Sequence, residues 1–135
     1  MALQTREQHI KRDRATSNIS TAQALLAVMA GMYTVYHGPN GLKGIATEIM
    51  QQARYIAQEA EKLGYEVVHD SYFDTILLNV PNDVTIQNIK TITEQHEINL
   101  FYFDNQTFSI SIGETANAQT IETLLQALAK VLDKE

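Results

Sequence analysis

The first half of the chain is patterned at helical spacing. The second half alternates short strand patterns with two further helical ones. Leu25, Leu26, Met29, Met32, Tyr33 and Tyr36 recur every three to four residues and predict a helix over Thr21 to His37. Ser20 and Gln23 have the spacing of a capping box at its start, and Gly38 with Pro39 stops it, the glycine by taking a left-handed position. Ala22, Ala24, Ala27, Val28 and Val35 fill most of the remaining faces. A helix that is apolar nearly all round must be covered on several sides. A 135-residue domain has little chain to spare for that, so one side is expected to meet another chain or a further domain. Pro39, suited to a helix start, opens a second helix to about Leu63. Leu42, Ile45, Ile49, Ala53, Ile56, Ala57, Ala60 and Leu63 make its inner stripe, Glu48, Gln51, Gln52, Glu59, Glu61 and Lys62 its wet side, and Gly64 its stop.

Strands follow. Tyr65 to His69 and Thr75 to Val80 read as two, the second with Ile76, Leu78 and Val80 on one face. Pro81, Asn82 and Asp83 break the pattern, and a helix from Thr85 to about His96 turns Ile86, Ile89 and Ile92 inward. Asn99 to Asp104 and Thr107 to Ile112 are the third and fourth strands around a tight turn at Asn105 and Gln106. In the last of these, Phe108, Ile110 and Ile112 alternate with Ser109 and Ser111. A final helix from about Asn117 to Leu132 carries Ile121, Leu124, Leu125, Leu128 and Leu132. The order α-α-β-β-α-β-β-α, with two hairpins, predicts an α+β fold: an antiparallel-rich four-stranded sheet with packed helices. Residues 1–20 read as an N-terminal arm and 21–135 as one small domain, with no internal repeat, low-complexity tract or long linker.

Composition narrows the chemistry. Cysteine is absent, which excludes disulfides, cysteine nucleophiles and thiolate metal sites. The formal net charge of −6 argues against a nucleic-acid binder. Four of the ten basic residues, Arg6, Lys11, Arg12 and Arg14, lie in the first fourteen positions, where Glu7 and Asp13 partly offset them. From Ala15 to Leu42 there is no formal charge, yet the most apolar stretch, Ala24 to Tyr36, is shorter than the ~20 residues of a membrane span. The long, acid-containing segment before it does not resemble a secretory signal.

No motif supplies a reaction. His9, His37, His69 and His96 share no ligand spacing, so no metal site is expected. Ser109 and Ser111 lie on a strand without a nucleophile elbow, and neither glycine-rich phosphate loop occurs. One cluster points to a ligand. Thr16, Ser17, Asn18, Ser20 and Thr21 crowd the start of the first helix, where unpaired N–H groups suit a phosphate and Arg12 and Arg14 add charge. Simple helix capping accounts for the same residues.

Longer strings carry more. Residues 2–19 (ALQTREQHIKRDRATSNI), 21–26 (TAQALL), 33–42 (YTVYHGPNGL) and 72–75 (YFDT) resemble glycine dehydrogenase (decarboxylating), the P-protein of the glycine cleavage system, collinearly and most densely over 2–42. Lys11, Asp13 and Arg14 stand where the family has Arg, Glu and Lys, and Ser20 where many members have Cys. The resemblance implies a parent enzyme that binds glycine through pyridoxal phosphate, releases carbon dioxide and passes the aminomethyl group to the lipoyl arm of the H-protein. It implies an aspartate-aminotransferase-like fold, of which this chain resembles the small C-terminal domain of the N-terminal half, the half without the cofactor lysine. The family places that lysine after a histidine, and none of Lys11, Lys43, Lys62, Lys90, Lys130 and Lys134 follows one. The segment alone is therefore expected to hold no cofactor and no catalytic residue. Its expected partners are the remaining P-protein domains or a complementary subunit, with the H-protein serving the intact enzyme. Neither nucleic acid nor membrane is expected as a partner, and isolated copies are expected to self-associate through the first helix.

By analogy with aminotransferase-like enzymes, Thr16, Ser17 and Asn18, with Arg12, are expected to border the cofactor phosphate of the partner half, with Arg6 and His9 as neighbours. The implied location is the cytoplasm for a bacterial parent and the mitochondrion for a eukaryotic one. A stand-alone, non-catalytic interaction or small-ligand-binding α+β module is the alternative that the pattern leaves open.

Overall fold

The structure, a computed structural model, describes residues 21–82 and 84–132, with side chains from residue 24 onward. The chain divides into two compact units, one ending at Leu42 and one beginning at Lys43. The elements are α1 (Thr21–Leu63), β1 (Glu66–Val67), β2 (Thr75–Asn79), α2 (Ile86–Gln95), β3 (Phe101–Tyr102), β4 (Thr107–Ser111) and α3 (Ala118–Val131).

The two helices expected before the first strand run on as one element, broken in backbone conformation at Gly38. Its φ of 61° has the left-handed sign expected, but its ψ of 179° is extended, a combination essentially restricted to glycine. Gly38 is therefore a kink and not the usual left-handed cap. No loop intervenes because Pro39, with its φ preset, restarts the helix at once.

At the far end of α1 the stop is as the sequence indicates. Gly64 has φ 110°, its N–H donates to the Glu61 carbonyl at 3.0 Å, and the Tyr65 N–H donates to the Ala60 carbonyl at 3.0 Å. These are the two bonds of a Schellman motif. They shorten the first strand: Tyr65 is spent on the cap, so pairing begins at Glu66. The third strand is trimmed for a similar reason. The Asp104 carboxylate accepts from the N–H groups of Gln106 (2.7 Å) and Thr107 (2.8 Å), which turns the chain before residue 104 can pair.

All four strands are antiparallel to their neighbours, in the order β1-β2-β4-β3. Register sets the inner face: Ile76 pairs with Ile110, Leu78 with Phe108 and Val67, and Phe108 with Tyr102. Their alternates, among them Leu77, Ser109 and Phe101, lie on the opposite face. The inner face packs with α1 residues Ala53, Ile56, Ala57 and Ala60, with Ile89 of α2, and with Ile121, Leu124 and Leu128 of α3. Phe108, Ile56, Ile76, Leu78, Ile89 and Leu128 are fully buried, each contributing about 1.5–3 kcal/mol of transfer free energy.

The helix starts are capped by Thr85, whose hydroxyl oxygen accepts from Asn88 N–H, and by Asn117, whose carboxamide oxygen accepts from Thr120 N–H. On α2 the inner face differs from the expected trio. Ile86 and Ile92 are half-buried, while Thr93 is fully buried. Its hydroxyl bonds back to the Ile89 carbonyl (3.0 Å) and lies 3.1 Å from the Tyr102 hydroxyl, so the polar atom is satisfied.

Candidate functional site

Between residues 25 and 36, α1 exposes Leu25, Leu26, Val28, Met29, Met32, Tyr33, Val35 and Tyr36, with Tyr36 at 85%. Soluble monomers rarely show so continuous an apolar surface. At its end the His37 ring lies 4.4 Å from that of Tyr33 and 5.0 Å from that of Tyr36. The first contact is tilted, at 52° between ring planes, and the second is edge-on, at 86°. Thr34, the polar residue of this stretch, has its hydroxyl donating to the Ala30 carbonyl at 2.8 Å.

The second unit has two hollows of note. A groove of about 810 Å³ lies between α1 and α3, lined by Glu48, Gln52 and Tyr55 on one wall and by Ile121, Glu122 and Leu125, among others, on the other. Gln52, expected on the wet side, is half-buried, and its Oε1 has no hydrogen-bond partner among the described residues. Its Nε2 donates over 3.5 Å to the Glu48 carboxylate and to the Ala116 carbonyl. A hollow of about 470 Å³ beside Pro81, Thr85 and Gln106 has no titratable side chain among its described lining residues.

Thr16, Ser17, Asn18 and Arg12, with Arg6, His9 and Ser20, lie outside the described residues. His69 and His96 are exposed, and among the described residues no group of three or more His, Asp or Glu side chains is placed to hold a metal. No helix among the described residues is long and apolar enough to cross a membrane.

The described residues do not fit pyridoxal phosphate. Lys43, Lys62, Lys90 and Lys130 are exposed. Lys62 is paired with Glu59, which raises its pKa through their hydrogen bond and charge attraction, and Lys90 lies 3.9 Å from Glu94. None lines either hollow. Burial pushes the Tyr65 phenol well above its usual range, and Tyr65 belongs to the hydrophobic core.

The sequence profile of the glycine cleavage system P-protein matches residues 1–128. The chain belongs to the glycine cleavage system P-protein family. Glycine dehydrogenase (decarboxylating) of Bacteroides fragilis is 49% identical over all 135 residues, and that of Flavobacterium johnsoniae 50%. In both cases the match takes in 100% of this chain but 14% of the relative. The inhibitor-bound crystal structure of a glycine decarboxylase (P-protein) of the glycine cleavage system superposes with a TM-score of 0.70 at 26% identity. That likeness covers 96% of this chain and 31% of the other. The α+β fold of this chain thus corresponds to a part of much longer relatives.

The groove between α1 and α3 is the feature that sequence reasoning missed. Its walls are far apart in the chain, and the only local signals were Tyr55, a large ring off the inner stripe, and Leu125, directly beside the inward-facing Leu124.

Proposed function

We propose that residues 21–135 serve as a small domain of a P-protein, with residues 1–20 as its N-terminal arm. The intact enzyme binds glycine through pyridoxal phosphate, releases carbon dioxide and transfers the aminomethyl group to the lipoyl group of the H-protein. The observation that carries this reading is the match to glycine dehydrogenase (decarboxylating) along the entire chain at about half identity. The uncovered apolar half of α1 supports it, as the surface on which the rest of the polypeptide, or a complementary subunit, would rest. The two relatives named above are bacterial, and for a bacterial parent the cytoplasm is the proposed location.

Within that reading, Thr16, Ser17 and Asn18, with Arg12, border the cofactor phosphate in the partner half. Short hydroxyl and amide side chains beside a helix start, with a guanidinium nearby, are the groups that hold a phosphate. Thr16→Ala in the intact enzyme weakens cofactor affinity if this is right; unchanged affinity removes these residues from the site.

The decisive experiment takes the 135-residue chain alone and joined to the remainder of the polypeptide. Carbon dioxide release from carboxyl-labelled glycine, in the presence of lipoylated H-protein, is expected only from the joined form. Borohydride reduction of the isolated chain with pyridoxal phosphate is expected to trap no stoichiometric lysine adduct. A trapped adduct, or a monomeric isolated chain that binds a metabolite in a pocket, favours the self-contained module instead.

A further inference from the structure

We infer that the groove between α1 and α3 seats a basic amphipathic helix contributed by the part of the P-protein polypeptide that lies outside this chain. The inference rests on the proposed role as one domain of a longer polypeptide.

The chemistry of the groove selects the occupant. Its apolar lining is Ile121, Leu125 and Ala129 of α3 and the ring of Tyr55 of α1. Tyr55 is half exposed, so the ring has surface left to bury. The charged groups among the described lining residues are exposed and of one sign: Glu48 on the α1 wall and Glu122 on the α3 wall, with no lysine or arginine among them. Glu48 and Gln52 also line a smaller hollow. The Glu48 and Glu122 carboxylates accept hydrogen bonds from the carboxamides of Gln52 (3.5 Å) and Gln126 (3.3 Å), neutral donors that leave the negative charge in place. An apolar lining beside exposed carboxylates complements a helix with a Leu or Ile stripe flanked by Lys or Arg.

Two further observations favour a helix over a small molecule. The walls are themselves two helices, so the groove offers contacts at helical repeats along its length. A small-molecule site gathers convergent polar groups at its base, whereas here Asn117 is engaged in capping α3 and Gln126 in bonding Glu122, which leaves Gln52 as the neutral polar group facing the groove. That carboxamide holds a buried oxygen without a partner among the described residues and two long contacts, and a donor from the occupant satisfies it after a small rotation.

The test uses synthetic peptides tiled along the Bacteroides fragilis glycine dehydrogenase (decarboxylating) outside the matched segment. Each is titrated against the isotope-labelled 135-residue chain by fluorescence polarisation and amide NMR. The tightest binders are expected to be helix formers with basic residues beside an apolar stripe, shifting amides over residues 118–129. Glu48→Lys with Glu122→Lys is expected to weaken them about tenfold or more, as is raising the salt to screen these carboxylates. Both side chains are exposed, and an unchanged thermal melt verifies the fold of the variant. Preference for acidic or neutral peptides, or indifference to the charge reversal, overturns the inference. Peptides that shift only residues 25–36 overturn it while leaving the domain role standing; no binding at any surface counts against both.

Discussion

The Tyr65 hydroxyl donates to the backbone carbonyl of Leu128 at 3.0 Å, tying the residue that follows the α1 cap to the last turns of α3. The carbonyl is among the last four of its helix, the groups that helical bonding leaves without partners. The same ring meets Phe108 edge-on, with centroids 5.9 Å apart. One side chain thus links cap, sheet and final helix.

Tyr65→Phe keeps the ring and deletes the donor. It is expected to cost about 1 kcal/mol in urea unfolding. The variant also has a signature in alkali. Burial raises the folded pKa of the phenol above the value of about 10 expected when unfolded. Above pH 10 the unfolded state therefore binds fewer protons than the folded state, and stability falls as pH rises. This contribution is intact below pH 10, and Tyr65→Phe should remove the part of the alkaline decline that Tyr65 causes. Equal declines in both proteins would show that Tyr65 ionises without penalty.

Glu97 is the one described non-glycine residue with positive φ, at 58°. It occupies the left-handed position of a second Schellman motif. Glu97 N–H donates to the Glu94 carbonyl at 3.0 Å, and Ile98 N–H to that of Thr93 at 2.9 Å. A left-handed non-glycine residue costs about 1–2 kcal/mol, partly offset on replacement by the chain entropy of glycine. Glu97→Gly is expected to stabilise the chain by roughly 0.5–1 kcal/mol, read as a higher urea midpoint with unchanged slope.

Two glycines of α1 make opposite predictions. Neither would place an added Cβ within 4 Å of another group, so backbone conformation alone decides. Gly38→Ala is expected to lose about 1–3 kcal/mol because alanine rarely adopts its extended, positive-φ geometry. Gly44 lies within the helix without positive φ, and Gly44→Ala is expected to gain about 0.4–1 kcal/mol. Thermal melts followed by helical circular dichroism distinguish them, and a stabilising Gly38→Ala would mean that the kink is not held there.

Leu26 and Met29 are exposed and absent from the hydrophobic core. Leu26→Glu with Met29→Glu is expected to abolish self-association of the isolated chain while leaving its melting temperature within a few degrees. Sedimentation velocity reads the first effect. A wild-type chain that is already monomeric at high concentration would remove the packing role of this face.

Much of this architecture is visible in the order of residues. The stripe over Ile49 to Leu63, the alternation at Ile76 and Leu78 and at Phe108 and Ile110, and the caps at Thr85, Asn117 and Gly64 all depend on neighbours a few positions away. The strings over residues 2–42 place the chain in its family for the same reason: they are local and long.

Other features had to wait for the folded chain. The central pairing of β2 with β4, the burial of Thr93 against Tyr102, the bond from Tyr65 to Leu128 and the groove around Gln52 each join segments that no periodicity connects. Repeating hydrophobicity tells a segment which face to bury, because that depends on its own geometry. Which segment it is buried against, and where a gap is left, depends on packing volume and register across distant parts of the chain, and these exist only once the chain has closed on itself.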